Sequence, residues 1–210
     1  MAKKLVAMMM GALILFYFVF GWLVGFPNEK KRLRAEVSKY IEINYGLTPT
    51  DIDVSFSLDG MDSARVLTKE FPFRFDVSVN RKNKTISNDL YLESLTEYCL
   101  EKQIEKKIGS SSNDIDIRVE LETRFSKTSP KVTPEEIQAE PNRLLNDSTI
   151  RYYCAMSSKE MDFQKYYSVF SQVTNFFAPT RIYIYYLNTE GKEKSICIKK
   201  EDFSKIHNAE

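Results

Sequence analysis

From Leu5 to Phe26 the chain runs for 22 residues without a charge. No other feature constrains the fold as tightly. As a single helix, at about 1.5 Å per residue, this run reaches about 33 Å, against a hydrocarbon core of about 30 Å. Met8-Met9-Met10 and the stretch Leu13 through Phe20 are apolar all round, unlike a surface helix. Lys3 and Lys4 precede the run, and Lys30, Lys31, Arg32 and Arg34 follow it. Tyr17 and Trp22 suit the membrane–water interface. The sequence therefore predicts a short basic tail (1–4) and a transmembrane helix from Leu5 to Phe26. The lipid bilayer is the partner of that segment.

A cleaved secretory signal is the rival reading. Its apolar region is shorter, about 7–15 residues, and it ends in a small-residue cleavage site. Here Leu23-Val24-Gly25 puts leucine where a small side chain is required. Counting Lys and Arg beside the span leans towards a cytoplasmic body. The short Met-Ala-Lys-Lys start resembles a signal anchor, which leaves the body outside. The expected location is the cell membrane, single-pass, with the body extracytoplasmic. Gly21-x-x-x-Gly25 has the spacing of a close helix contact.

Beyond the run, the charges balance. The whole chain carries 30 Lys+Arg and 29 Asp+Glu, a net charge of +1. No basic stripe favours nucleic acid, so no nucleic-acid partner is expected. The single histidine excludes every multi-histidine metal site. Neither G-x-G-x-x-G nor G-x-x-x-x-G-K-[ST] occurs, so no phosphate-cradling loop is expected.

The remainder alternates between helical and strand periodicities. Glu29 to Tyr45 reads as a helix with Leu33, Val37 and Ile41 on one face, closed by Gly46. Asp51 to Leu58 alternates, with Ile52, Val54, Phe56 and Leu58 pointing one way. Phe71 to Asn80 alternates too, setting Phe73, Phe75, Val77 and Val79 against polar neighbours. Thr85 to Ser87 is a short return strand, and Asn88 or Asp89 suits the N-cap of a helix running to Ile108.

Gly46 through Val54 matches Gly109 through Ile117, with Gly and Asp five apart in both and an offset of 63 residues. Each copy joins a helix to an alternating strand; in the second, Ile115, Ile117, Val119 and Leu121 share a face. A third, weaker copy runs from a helix over Met161–Phe177 into Arg181–Leu187, then through Gly191 into Ser195–Ile198. Between Ser126 and Ser148 three prolines interrupt the pattern, and Thr133-Pro-Glu-Glu136 spells a capping box. Ile150 to Met156 is another alternating strand.

Strands with one polar face suit antiparallel sheets packed on one side by helices. The expected fold is α+β: an N-terminal transmembrane helix, then repeated helix–strand–strand units forming antiparallel sheets packed by helices. The expected lobes are 27–109 and 110–210. The charge-flanked apolar run, Phe73-Arg-Phe-Asp-Val-Ser-Val-Asn80 and the following Asn88 to Tyr98 together resemble the YfjL-like family of Gram-positive membrane-anchored proteins. That family has no assigned reaction, so the resemblance implies a fold and a membrane attachment and carries over no functional residue. The helix–strand–strand units are also similar to peptidase-propeptide-type inhibitory modules.

Candidate chemistry is thin. Asp51-x-Asp53 and Asp114-x-Asp116 have the spacing of a metal-holding pair, or simply open solvent-facing strands. Cys99, Cys154 and Cys197 lack C-x-x-C spacing. They read as small buried side chains, or as a Cys154–Cys197 bridge with one free thiol. His207 lies at the tail, and Ser157-Ser158-Lys159 places its groups too close in sequence for a dyad. Asn83-x-Thr85 and Asn146-x-Ser148 match glycosylation acceptors. No catalytic residue, metal ligand or cofactor is expected.

The C-terminal third is rich in tyrosine. On Arg181–Leu187, Tyr183, Tyr185 and Leu187 share one face and are the candidate partner patch. Tyrosine buries its ring while keeping its hydroxyl wet, which suits an interface. The expected function is a membrane-anchored, non-enzymatic binding module for an envelope protein partner, immunity or inhibitory proteins being one special case. The alternative is an envelope hydrolase or transferase using carboxylates.

Overall fold

The computed structural model describes residues 2–24, 26–57, 59–109, 115–122, 132–141, 151–158, 163–187 and 191–207. Two compact units divide the chain, Met1–Tyr91 and Leu92–Glu210. Several expectations fall outside the described residues: Leu58, Asp114, Asn146 with Ser148, Ile150, Lys159 and Met161.

The first unit opens with helix α1 (Ala2–Val24) and helix α2 (Pro27–Tyr45). The expected transmembrane helix from Leu5 to Phe26 is corrected here. Among the described residues, no helix is long and apolar enough to cross a membrane. α1 stops at Val24, and Phe26 stands as the N-cap of α2. The transmembrane-helix and signal-anchor assignments are withdrawn with it, and the membrane assignment loses its crossing helix.

In α2, proline at the first turn presets the backbone, and Gly46 closes the helix at φ 65°. Its buried stripe is Leu33, Val37 and Ile41, four residues apart. Four strands follow as an antiparallel meander: β1 (Pro49–Ser55), β2 (Met61–Thr68), β3 (Arg74–Asn80) and β4 (Thr85–Asp89). Register places Val54 opposite Ala64 and Ala64 opposite Val77, with Val66 opposite Phe75. These residues are buried and form the core face. The other face is polar, with Arg65 bonded to Asp76 at 3.2 Å and Arg74 to Asp51 at 2.7 Å.

The alternation expected for β3 is present, while β2 had no counterpart in the sequence reading. β2 buries Asp62, Ala64, Val66 and Thr68, a face too polar to announce itself. Asp62 is 2% exposed and holds Arg81 through both carboxylate oxygens, with Arg81 Nη2 at 2.5 Å from Oδ1 and Nε at 2.9 Å from Oδ2. Arg81 also reaches the Ser57 carbonyl at 3.0 Å and lies 5.0 Å from the centre of the Phe56 ring.

The second unit holds nearly all of helix α3 (Tyr91–Ile108), then β5 (Ile115–Leu121), α4 (Pro134–Ala139), β6 (Tyr152–Ser158), α5 (Phe163–Phe177), β7 (Arg181–Leu187), β8 (Glu193–Lys199) and α6 (Phe203–His207). The capping box of α4 forms as read. Thr133 Oγ1 accepts from the Glu136 N–H, and Glu136 Oε2 accepts from the Thr133 N–H. The sheet order is β5-β6-β7-β8. β6 and β7 are parallel, which corrects the expectation of antiparallel sheets throughout. Parallel neighbours need a long crossover, and α5 supplies it. One face of the sheet (Ile117, Val119, Cys154, Met156, Ile182) packs with α3 residues Leu100 and Ile104 and α5 residues Val169, Phe170 and Val173 in a single apolar cluster.

Candidate functional site

Strand alternation that buries Ile182 beneath the helices turns Tyr183, Tyr185 and Leu187 to the opposite face. The sheet then adds a residue the sequence reading did not assign there. Because β6 and β7 are parallel, Tyr153 is the partner of Arg181, two residues before Tyr183 and on the same face. The Tyr153 and Tyr183 rings meet edge to face at 5.2 Å, and Tyr183 lies parallel to Tyr185 at 6.4 Å. The opposing positions on β6 are small: Ala155 beside Tyr183 and Ser157 beside Tyr185. The rings therefore stand against a low floor.

Polar groups rim this cluster. The Tyr153 hydroxyl donates to the Glu120 carboxylate on β5. Burial and that carboxylate both push the Tyr153 hydroxyl's pKa above the usual phenol range. The Tyr183 hydroxyl beside Arg181 raises the Arg181 pKa, and Arg181 pairs with Glu122 at 3.4 Å. Arg118 pairs with Asp116 at 3.3 Å. The three tyrosines are half-buried, while Leu187 is 41% exposed. Such a face offers ring edges, hydroxyls and fixed guanidinium groups, the vocabulary of protein recognition.

The other sequence candidates fall elsewhere. Asp51 is engaged by Arg74 and lies on the solvent face of the first sheet, as does Asp53. Asp116 pairs with Arg118, and among the described residues no set of three or more His, Cys, Asp or Glu is placed to hold a metal ion. Cys99 is half-buried, Cys154 buried and Cys197 exposed, and all three are free. Cys154 and Cys197 sit on opposite faces of the sheet, with Cys154 partnering Ile182 and Cys197 partnering Tyr183. That geometry forbids the bridge read as an option from the sequence. Ser157 lies on the tyrosine face, and His207 ends α6.

A small cleft in the first unit, about 20 Å³, is lined by Glu29, Arg32, Phe56, Asp62, Arg81 and Lys84 among others. It has room for about one water. Its buried acid, Asp62, is consumed by Arg81. Elsewhere in the first unit, Asp89 accepts from the Tyr40 hydroxyl at 2.6 Å and from Tyr45 at 2.7 Å, and its Oδ1 meets the Tyr91 N–H at 3.4 Å. Burial, then Asp89, pushes the Tyr40 pKa up to about 12. This carboxylate pins α2 to the end of β4 and starts α3, a structural use of Asp89.

No family model matches the chain, and neither the curated proteins nor the solved structures contain a match.

Proposed function

We propose that this protein is a non-enzymatic binding module whose contact surface is the tyrosine face of the second sheet, attached to a lipid bilayer through α1. The observation that carries it is the Tyr153–Tyr183–Tyr185 ring cluster on the side of the sheet away from the helix-packed core. Tyrosine and arginine, here half-buried rings beside Arg118 and Arg181, are residue types enriched in interfaces. The bilayer attachment is supported by the solvent-facing apolar side chains of α1, among them Met8, Leu13, Leu15 and Phe16. An envelope protein is the partner class in this reading, and a place among YfjL-like proteins belongs to the same proposal.

The enzymatic alternative needs acids converging in a deep cleft. Among the described residues, the cleft in the first unit has room for about one water, and its buried acid is ion-paired with Arg81. The test has two arms. Full-length protein should float with lipid vesicles, and deletion of residues 1–26 should abolish flotation. Partner capture from envelope fractions should be lost in the Tyr183→Ala/Tyr185→Ala double variant and kept in Asp53→Ala. A double variant that keeps every partner sinks the assignment of this face.

A further inference from the structure

The second sheet has two edges, and the chain treats them differently. At β5, α3 closes the edge. Glu101 accepts the Val119 N–H and Glu97 accepts the Leu121 N–H, each at 2.9 Å. These carboxylates occupy backbone groups that would otherwise be free to pair.

At β8 the edge stays open. The Lys200 N–H donates to the Thr180 carbonyl at 3.0 Å. From there the β7–β8 register continues through Ile182 with Ile198, Ile184 with Ile196 and Tyr186 with Lys194. In an antiparallel pair the backbone groups of successive residues turn to opposite sides. The N–H and C=O groups of Glu193, Ser195, Cys197 and Lys199 therefore face away from β7. Among the described residues no strand pairs with that edge and no hydrogen bond reaches those groups. Every side chain of β8 except Ile198 is exposed.

The sequence of this edge is complementary to itself. Glu193 begins the strand and Lys199 ends it, symmetric about Ile196. Two copies of β8 laid antiparallel about a two-fold axis through Ile196 would set Glu193 of each opposite Lys199 of the other. Ser195 would then face Cys197, and Ile196 would face itself. The outward backbone groups meet as hydrogen-bonded pairs in this register. Other registers lose the match. Centring on Cys197 brings Lys194 against Lys200, and centring on Ser195 brings Glu193 against Cys197. Cross-strand opposite charges stabilise a pair and like charges destabilise it. The existing contact of Lys199 with Glu201 is exposed and long, at 3.9 Å, and competes little.

We infer that the protein self-associates through β8, the open edge of one copy pairing antiparallel with that of a second copy about Ile196. The contact is isologous, so it closes at two copies. Both tyrosine faces then lie on the same side of one continuous sheet. The inference rests on β8 alone and stands or falls independently of what the tyrosines bind.

The experiment uses the full chain in detergent micelles, with the dimer dissociation constant measured by sedimentation across a concentration series. Glu193→Lys and Lys199→Glu should each weaken the dimer about tenfold, by replacing both attractive pairs with repulsive ones. The Glu193→Lys/Lys199→Glu charge swap should restore wild-type affinity. Matching melting temperatures establish that each variant is folded. Covalent mapping fixes the register. Under mild oxidation Ser195→Cys should form disulfide-linked dimers with Cys197 of the second copy. The unchanged chain should not, because Cys197 of the two copies would lie on a diagonal about 7–8 Å apart, beyond disulfide reach. A monomer at all concentrations overturns the inference. So does a dimer indifferent to the charge series, or a wild-type dimer linked through Cys197.

Discussion

The Glu97 carboxylate on α3 accepts the backbone N–H of Leu121 on β5 at 2.9 Å, and one helical turn on, Glu101 does the same for Val119. A helix thus seals a sheet edge with side chains. The arrangement carries an electrostatic penalty. Burial pushes the Glu97 pKa up to about 7 from 4.5, with Glu120, Glu101 and Glu93 adding to it and the Leu121 N–H opposing. Glu101 shifts in the same direction, again mainly through burial.

The sign of the pH dependence follows. Between pH 4.5 and about 7 the folded state binds a proton at Glu97 that the unfolded state has released. Stability therefore falls as pH rises through that window, and the full penalty is present above pH 7. At about 1.4 kcal/mol per unit the effect is about 3 kcal/mol as an upper bound. Glu97→Gln keeps a carbonyl acceptor for Leu121 and removes the charge. Urea titrations should show the variant at least as stable as the parent at pH 8, with a flatter profile from pH 5 to 8. An unchanged profile would mean that Glu97 titrates normally.

The Asp62–Arg81 pair makes the opposite demand. Asp62 is almost fully buried, and Arg81 supplies its counter-charge in a bidentate contact. Removing the cation leaves an uncompensated buried carboxylate, which costs about 3–5 kcal/mol. Arg81→Ala should lose that much at pH 7. The Asp62→Ala/Arg81→Ala double variant should lose less than Arg81→Ala alone. A loss under 1 kcal/mol for Arg81→Ala in denaturant unfolding would show that water reaches Asp62.

Phe56 and Phe75 were equivalent in the alternating pattern, and the structure separates them. Phe75 is buried and packs on the Tyr91 ring at 5.2 Å. Phe56 lies just past the end of β1, half-buried beneath the Arg81 guanidinium. Phe75→Ala should cost about 3–5 kcal/mol. Phe56→Ala should cost about 1–2 kcal/mol, from partial burial and the lost cation–π contact. Ser55→Ala, at an exposed site, should stay within about 0.5 kcal/mol. Equal losses for the two phenylalanines would put Phe56 back in the core.

Where local pattern decides structure, the sequence was legible. The stripe of α2, the alternation of β3 and the capping box at Thr133 each depend on residues within a few positions of one another. β2 was not legible, because its buried face includes Asp62, whose partner Arg81 lies 19 residues away. A carboxylate becomes a core residue only once its cation is in place. Tyr183, Tyr185 and Leu187 were readable as one face from period-two spacing alone. Tyr153 was not, because its neighbour depends on the parallel pairing of β6 with β7. The end of α1 at Val24, with Phe26 capping α2, likewise has no signature in an uninterrupted apolar run.

The three cysteines make the face assignments of the second sheet measurable in one experiment. Cys154 points into the core opposite Ile182, and burial pushes its thiol far above the usual range. Cys99 is half-buried on α3, and burial raises its pKa too. Cys197 lies on the exposed edge strand beside Tyr183. Thiolate is the reactive form, so access ranks the three, and the burial that raises the Cys99 and Cys154 thiols slows those two further. A maleimide pulse on native protein, followed by peptide mapping, should label Cys197 first and Cys99 more slowly. Cys154 should label only as fast as the second unit opens, and at full rate in denaturant. Cysteine-to-serine variants check the assignment: Cys197→Ser should remove the fast phase and leave the melting temperature unchanged. Rapid labelling of Cys154 in the native protein would reverse the sheet's faces, and the tyrosine surface would then be the packed side.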